Sequence, residues 1–192
     1  MSTNSMRHTI LEKKLMQVAA LLLFAVFLPV SALALDFSAG GGLSLNTLFV
    51  FAEYSGMSEN KSATGFGIHA FADATYAELS GGIVAYEDTT YMRASLLVKY
   101  PFEIAGTRVF PLAGAEYRWN LDYDDASTLV LKGGAGADVV LTDRLFLRPE
   151  VLLGYAFLTK LEEDRIDAWE IFGGGSISKM TLDISASAGY RF

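Results

Sequence analysis

The sequence predicts an all-β protein, an eight-stranded antiparallel up-and-down transmembrane β-barrel, lying behind an export signal. Three observations predict it. Apolar and polar residues alternate with period two through most of 36–192, the spacing that sends successive side chains to opposite faces of a strand. The polar face is also the small face, rich in glycine and serine with scattered charges. The segments between strands alternate, with one exception, between short and long.

The first 34 residues read as a secretory signal. Arg7, Lys13 and Lys14 form a basic start, 15–30 is an almost unbroken apolar run, and Ala32-Leu33-Ala34 supplies small residues at −3 and −1; this is the pattern cleaved by signal peptidase, here after Ala34. An uncleaved membrane helix is the competing reading, but the run is at the short end for spanning and has no successor. The expected organisation is therefore 1–34 as signal peptide and 35–192 as one barrel domain. The chain has no cysteine, which excludes a cysteine-linked lipid anchor, disulfides and thiol chemistry. After removal of the signal, 12 basic and 21 acidic residues remain, a net charge of −9. Nucleic-acid binding needs clustered positive charge against phosphate, so that class of partner is set aside.

The clearest strand is the last. Met180, Leu182, Ile184, Ala186, Ala188, Tyr190 and Phe192 alternate with Thr181, Asp183, Ser185, Ser187, Gly189 and Arg191. The same alternation marks 145–157, 129–141, 108–120 and 91–102, with weaker versions at 76–86, 65–73 and about 36–45. The apolar run 48–52 offers an extension of the first strand. No segment shows helical periodicity. Turns at 73–75, 103–107 and 142–144 are short, while 46–63, 121–128 and 158–178 are long and 87–90 is the exception. Bacterial outer-membrane barrels place short turns in the periplasm and long loops outside, and an even strand number puts both ends of the mature chain on the periplasmic side.

A soluble barrel with its apolar face inward is the main competitor. Side-chain size opposes it. An eight-stranded barrel is only just wide enough for its own side chains, which suits the face bearing Gly40, Gly42, Gly67, Gly82, Gly114, Gly134, Gly136, Gly154 and Gly189. On that register the interior holds Asp36, Asp73, Glu78, Glu116, Asp138, Glu150 and Asp183 against Arg93, Lys99, Arg108, Arg118, Lys132, Arg148 and Arg191. Seven acids face seven bases, as a closed interior requires if buried charges are paired. Aromatic residues cluster near both ends of the strands: Tyr86, Tyr91, Tyr117, Trp119, Tyr155 and Phe157 at the long-loop rim, and Phe37, Tyr76, Tyr100, Phe102, Tyr190 and Phe192 at the other. Two such belts are expected at two membrane interfaces.

The terminal Phe192, Tyr190 two residues before it and the alternate apolar residues back to Met180 resemble the C-terminal strand of outer-membrane proteins. The strand pattern as a whole is similar to the small OmpA/OmpX-type barrels, with OmpW-like barrels as second choice, and Leu145-Phe146-Leu147-Arg148-Pro149-Glu150 looks like a seventh strand of that group. The resemblance implies that Tyr190 and Phe192 are read by the barrel-assembly machinery and that the chain sits as a monomer in outer-membrane lipid. The chain has no room for the peptidoglycan-binding domain of full-length OmpA.

Catalysis finds little support. His69 is the one histidine of the mature part and points inward, near Asp73 and Ser80. A nucleophile needs an adjacent base, and His69-Ala70-Phe71 lacks the His-x-Ser pattern of the lipid A deacylase barrels. Gly133-Gly134-Ala135-Gly136 is no nucleotide loop, because no helix follows it. Asp122, Asp124, Asp125, Glu162, Glu163, Asp164, Asp167 and Glu170 crowd the long loops, but without the spaced ligands of a calcium loop; they read as a solvated acidic rim. No cofactor is expected. The leading functional expectation is a non-enzymatic surface protein displaying acidic loops for adhesion, envelope integrity or host contact to an extracellular ligand. A minor channel for small apolar solutes, favoured by inward Phe71, Val84, Leu97, Phe110, Leu112, Val130, Val140, Phe146 and Leu152, is the alternative, and a lipid A-modifying enzyme the third.

Overall fold

A computed structural model of the chain describes residues 36–54, 57–170 and 175–192; the expected signal peptide, 1–34, lies outside the described residues. Nine strands follow in order: β1 (Ser38–Tyr54), β2 (Met57–Ala74), β3 (Ala77–Ala85), β4 (Thr90–Lys99), β5 (Phe102–Ile104), β6 (Thr107–Asn120), β7 (Thr128–Val140), β8 (Leu145–Ala156) and β9 (Gly175–Arg191). Eight of them close a ring. Neighbours in sequence pair antiparallel, β9 returns to β1, and β4 pairs with β6 to complete the circle. The last residue is stitched beside the entry to β1, the Phe192 amide donating to the Phe37 carbonyl at 3.0 Å. This is an eight-stranded up-and-down barrel.

The alternation of the sequence becomes the division between wall and lumen. Along β8, every second side chain is buried: Leu152 is 8% exposed and Leu153 56%. Phe71, Val84, Leu97, Phe110, Leu112, Val130, Phe146 and Leu152 fill the lumen, whereas Leu43, Ile68, Leu79, Leu96, Val151 and Ile184 face out. No charged side chain joins the outward set over the strand middles, so lipid is the solvent that suits this wall. Ring pairs mark both rims. Tyr117 and Trp119 lie 4.7 Å apart and Tyr155 and Phe157 5.7 Å apart at one end; Tyr190 and Phe192 lie 5.3 Å apart at the other.

Several expectations are corrected. The segment 46–63 is not a loop: β1 and β2 run on as a hairpin, paired residue by residue from Ser38↔Asp73 to Tyr54↔Met57. β9 accompanies β1 to Gly175, so a three-stranded blade stands above the wall, where β3 and β8 have ended. The period-two signal fails there because neither face of the blade is divided between lipid and lumen. The strand 91–102 breaks at Tyr100-Pro101, and β5 resumes it against β6. The turn after β5 is tight, with Ala105 at φ 50° and Gly106 at φ 80°. Val140 is 48% exposed rather than inward, because β7 ends at that residue.

The last long segment, 158–178, holds a helix, α1 (Lys160–Glu170), where the sequence showed no helical period. Its start is fixed by a reciprocal cap: the Glu162 amide donates to the Thr159 hydroxyl at 3.3 Å, and the Thr159 amide donates to the Glu162 carboxylate at 2.7 Å. Thr-x-x-Glu is a legible helix-start motif. The remaining residues of α1 are mostly polar and exposed, which is why periodicity did not find it.

Candidate functional site

Two layers of ion pairs cross the lumen. The layer nearer the short turns is built on Arg148, which is buried and reaches across the barrel. Its Nε and Nη2 donate to Asp138 at 2.7 and 3.1 Å, and its Nη1 donates to Asp73 at 2.6 Å and Glu78 at 2.8 Å. Lys99 and Ser38 also donate to Asp73, and Arg191 approaches Asp138 at 3.6 Å. Three rings wall the guanidinium: Phe71, Phe110 and Phe146, with centroids 4.5, 5.1 and 4.9 Å from its carbon. A planar cation with five donors in a fixed fork suits such a position better than an ammonium.

Each of those rings lies over a glycine on the neighbouring strand. Gly40 is opposite Phe71, Gly136 opposite Phe110 and Gly189 opposite Phe146. A β-carbon on Gly136 would stand 2.6 Å from the Phe110 ring and one on Gly189 2.2 Å from Phe146, while one on Gly40 would meet the Ala188 carbonyl at 2.3 Å and the Phe71 ring at 2.7 Å. The missing side chains are what let the rings enter a lumen this narrow.

The layer nearer the long loops is built on Glu116 and Asp183. Glu116 accepts from Arg118 Nε at 2.6 Å and from Lys132 at 2.7 Å, with Arg93 at 3.8 Å. Asp183 pairs with Lys132 and, at 3.4 Å, with Arg118. Arg93 completes its shell on neutral acceptors, Asn46 at 3.0 Å and Ser44 at 2.8 Å.

Between the layers lies a cavity of about 30 Å³, with Ser44, His69, Ser80, Ser95, Glu150 and Ser185 among its lining residues. That is room for one or two waters, not for a solute. His69 Nε2 lies 2.8 Å from the Ser187 hydroxyl, but His69 Nδ1 has no hydrogen-bond partner among the described residues. The pair therefore has no third group to orient the imidazole as base, and both residues face the closed interior. Glu150 stands apart from the ion pairs: Ser185 at 3.4 Å is its recorded partner, and its Oε1 has none.

Of the sequence-selected interior set, the structure brings Asp73, Glu78, Lys99, Asp138, Arg148 and Arg191 into one layer and Arg93, Glu116, Arg118, Lys132 and Asp183 into the other. Glu150 joins neither. Asp36 and Arg108 pair at 2.9 Å on the rim, where both are part exposed.

The acidic rim is less uniform than its composition implies. Asp125, Glu163, Asp164 and Asp167 face solvent. Asp122 is structural, accepting from the Thr90 amide at 2.8 Å and the Thr89 hydroxyl at 3.2 Å and so tying two loops together. Glu162 caps α1 and pairs at 2.5 Å with Lys179, a buried base that the alternation left unassigned. The side chains of Asp124 and Glu170 lie outside the described residues. No group of His, Asp and Glu able to hold a metal occurs among the described residues.

No protein-family model matches the chain, and no curated protein sequence matches it. Solved structures similar to it include small barrels of bacterial outer membranes. Outer membrane protein OprG from Pseudomonas aeruginosa is 13% identical, over 83% of this chain and 96% of that one, at a TM-score of 0.48. Neisserial surface protein A is 12% identical, over 81% and 99%, at 0.47. The outer membrane protease OmpT from Escherichia coli is 8% identical, over 84% and 99%, at 0.45. The fold assignment itself rests on the closed register of the strands.

Proposed function

We propose that this chain is a non-enzymatic surface protein of the outer membrane of a diderm bacterium. Its long-loop rim faces outward, its joined ends face the periplasm, and the rim serves adhesion, envelope integrity or host contact. Outer-membrane lipid surrounds the wall, and Tyr190 and Phe192 at the end of β9 are the residues offered to the barrel-assembly machinery. The observation that carries the reading is the plugged lumen. Arg148 with its three rings, and the Glu116–Asp183 layer above it, fill the lumen with buried, paired side chains, so what the protein can offer a partner lies on its rim. There the blade, the capped helix and the exposed acids Asp125, Glu163, Asp164 and Asp167 project together.

Planar-bilayer recording of the purified chain tests this directly. No steady conductance is expected. A stable open pore of nanosiemens scale would favour a channel instead, and a change in the lipid A of expressing cells that disappears in His69→Ala would favour an enzyme.

A further inference from the structure

The upper part of β2 has one neighbour where the rest of the strand has two. Residues 57–74 pair with β1, but pairing with β3 begins only at Phe66. The ring of Tyr86 lies beside Gly65, and beyond that the edge 57–64 has no second strand partner among the described residues. Every one of these eight residues is exposed. An open edge of this length is a template for another strand, and none of its residues is proline.

The charges on the edge select its complement. Glu59 and Lys61 lie on the same face of β2 and touch each other at 2.9 Å in the isolated chain, both largely exposed. Antiparallel pairing of this strand with itself requires opposed residues to share a face, so only registers centred on a residue are available. Centred on Glu59, the register sets two carboxylates against each other, and centred on Lys61 two ammonium groups. Centred on Asn60, it sets Glu59 of each copy opposite Lys61 of the other, twice. Like charges directly opposed destabilise a ladder and unlike charges stabilise it.

We propose that this edge is a self-recognition strand: residues 57–63 pair antiparallel with the same residues of a second copy, about a two-fold axis through Asn60. An axis normal to the blade reverses the strand direction, and hence the direction of the barrel. The two copies therefore point toward each other from facing membranes, their wall ends about 40 Å apart along the strands. The occupant deepens the surface reading above and rests on it for the outward direction of the blade.

The chain lacks cysteine, so Asn60→Cys introduces a lone thiol on the axis. Opposed residues of an antiparallel pair have Cα atoms about 4.5–5.5 Å apart, within reach of a disulfide. In detergent micelles, Asn60→Cys is expected to form a covalent dimer under mild oxidation, and Ser58→Cys, displaced four residues from its own copy, is not. Adding Glu59→Lys to Asn60→Cys should lower the dimer yield about five- to tenfold, and adding Glu59→Lys together with Lys61→Glu should restore it. An equal yield at positions 58 and 60, or a yield indifferent to the charge reversal, overturns the proposal; so does capture of a different protein in place of a second copy when Asn60→Cys is oxidised on whole cells. Labelling of Asn60→Cys on intact cells by a membrane-impermeant reagent is a separate arm. Its failure would sink the outward orientation while leaving the micelle result standing. Vesicles with the rim outward should cluster when the micelle dimer forms; absence of clustering overturns the facing-membrane geometry.

Discussion

Lys179 on β9 is joined to Glu162 on α1, its ammonium 2.5 Å from the carboxylate oxygen that also accepts from the Thr159 amide and hydroxyl. One carboxylate thus closes the helix cap and ties the helix to the barrel mouth. The lysine is buried and the glutamate part buried, so the ammonium depends on this carboxylate for its charge partner. Glu162→Ala should release the start of α1, costing about 1–2 kcal/mol locally through loss of the cap. Limited proteolysis should then cut within 160–170 faster than in the parent chain, and the stranded Lys179 on β9 should lower the urea midpoint of the barrel as well.

Arg148 and Glu150 sit on the same face of β8 and should behave oppositely. Arg148→Ala leaves Asp73, Glu78 and Asp138 without their shared cation, and breaking such a buried network costs about 3–5 kcal/mol. Glu150 forms no ion pair among the described residues, its Oε1 having no hydrogen-bond partner there. Glu150→Gln should be neutral or stabilising, since it removes a charge whose burial is uncompensated. Urea unfolding in lipid vesicles measures both. A loss of several kcal/mol in Glu150→Gln would mean that the carboxylate is paired after all.

The wall can be tested at adjacent residues. Leu153→Arg should cost about 2–4 kcal/mol if its position lies near the bilayer midplane. Vesicle refolding yields read this, with the exposed Glu163→Arg as the unaffected comparison. A neutral Leu153→Arg would remove lipid from the outer face.

The β5–β6 turn offers a gain. Ala105 holds φ 50°, a left-handed conformation that costs a residue bearing a β-carbon about 1–2 kcal/mol. Asn tolerates it better, and Asn-Gly is the favoured pair for such a hairpin. Ala105→Asn should therefore raise stability by up to about 1 kcal/mol, visible as a higher urea midpoint with unchanged slope.

The wall was legible in the sequence because two solvents enforce it. Lipid outside and a narrow lumen inside leave period two as the only pattern that serves Leu153 and Leu152 at once. Where that constraint ends, the reading failed. The blade at 46–63 read as a loop because residues such as Val50 and Phe51 face neither lipid nor lumen. The helix was missed for want of an apolar stripe, although Thr159 and Glu162 carried its start signal in plain view. Charge balance predicted a paired interior but could not say which acid would be left over; that depends on which strands bring Ser185, rather than a cation, to Glu150. Lys179 escaped notice because its partner is supplied by a helix that periodicity did not reveal.

The three rings around Arg148 have a consequence for how this lumen can change over time. Phe71, Phe110 and Phe146 each occupy the space of a side chain that Gly40, Gly136 and Gly189 do not have. Neither member of a couple can vary alone. Enlarging the glycine expels the ring, and trimming the ring opens a void beside a buried cation. Descendants of this barrel should therefore keep the Gly136–Phe110 and Gly189–Phe146 couples or exchange them whole, a larger residue for the glycine arriving with a smaller one for the phenylalanine, while Gly40, crowded also by the Ala188 carbonyl, stays glycine. The outer residues of the same strands, bounded only by fluid hydrocarbon, are free to drift one at a time. One barrel thus carries two tempos of substitution, interleaved along every strand.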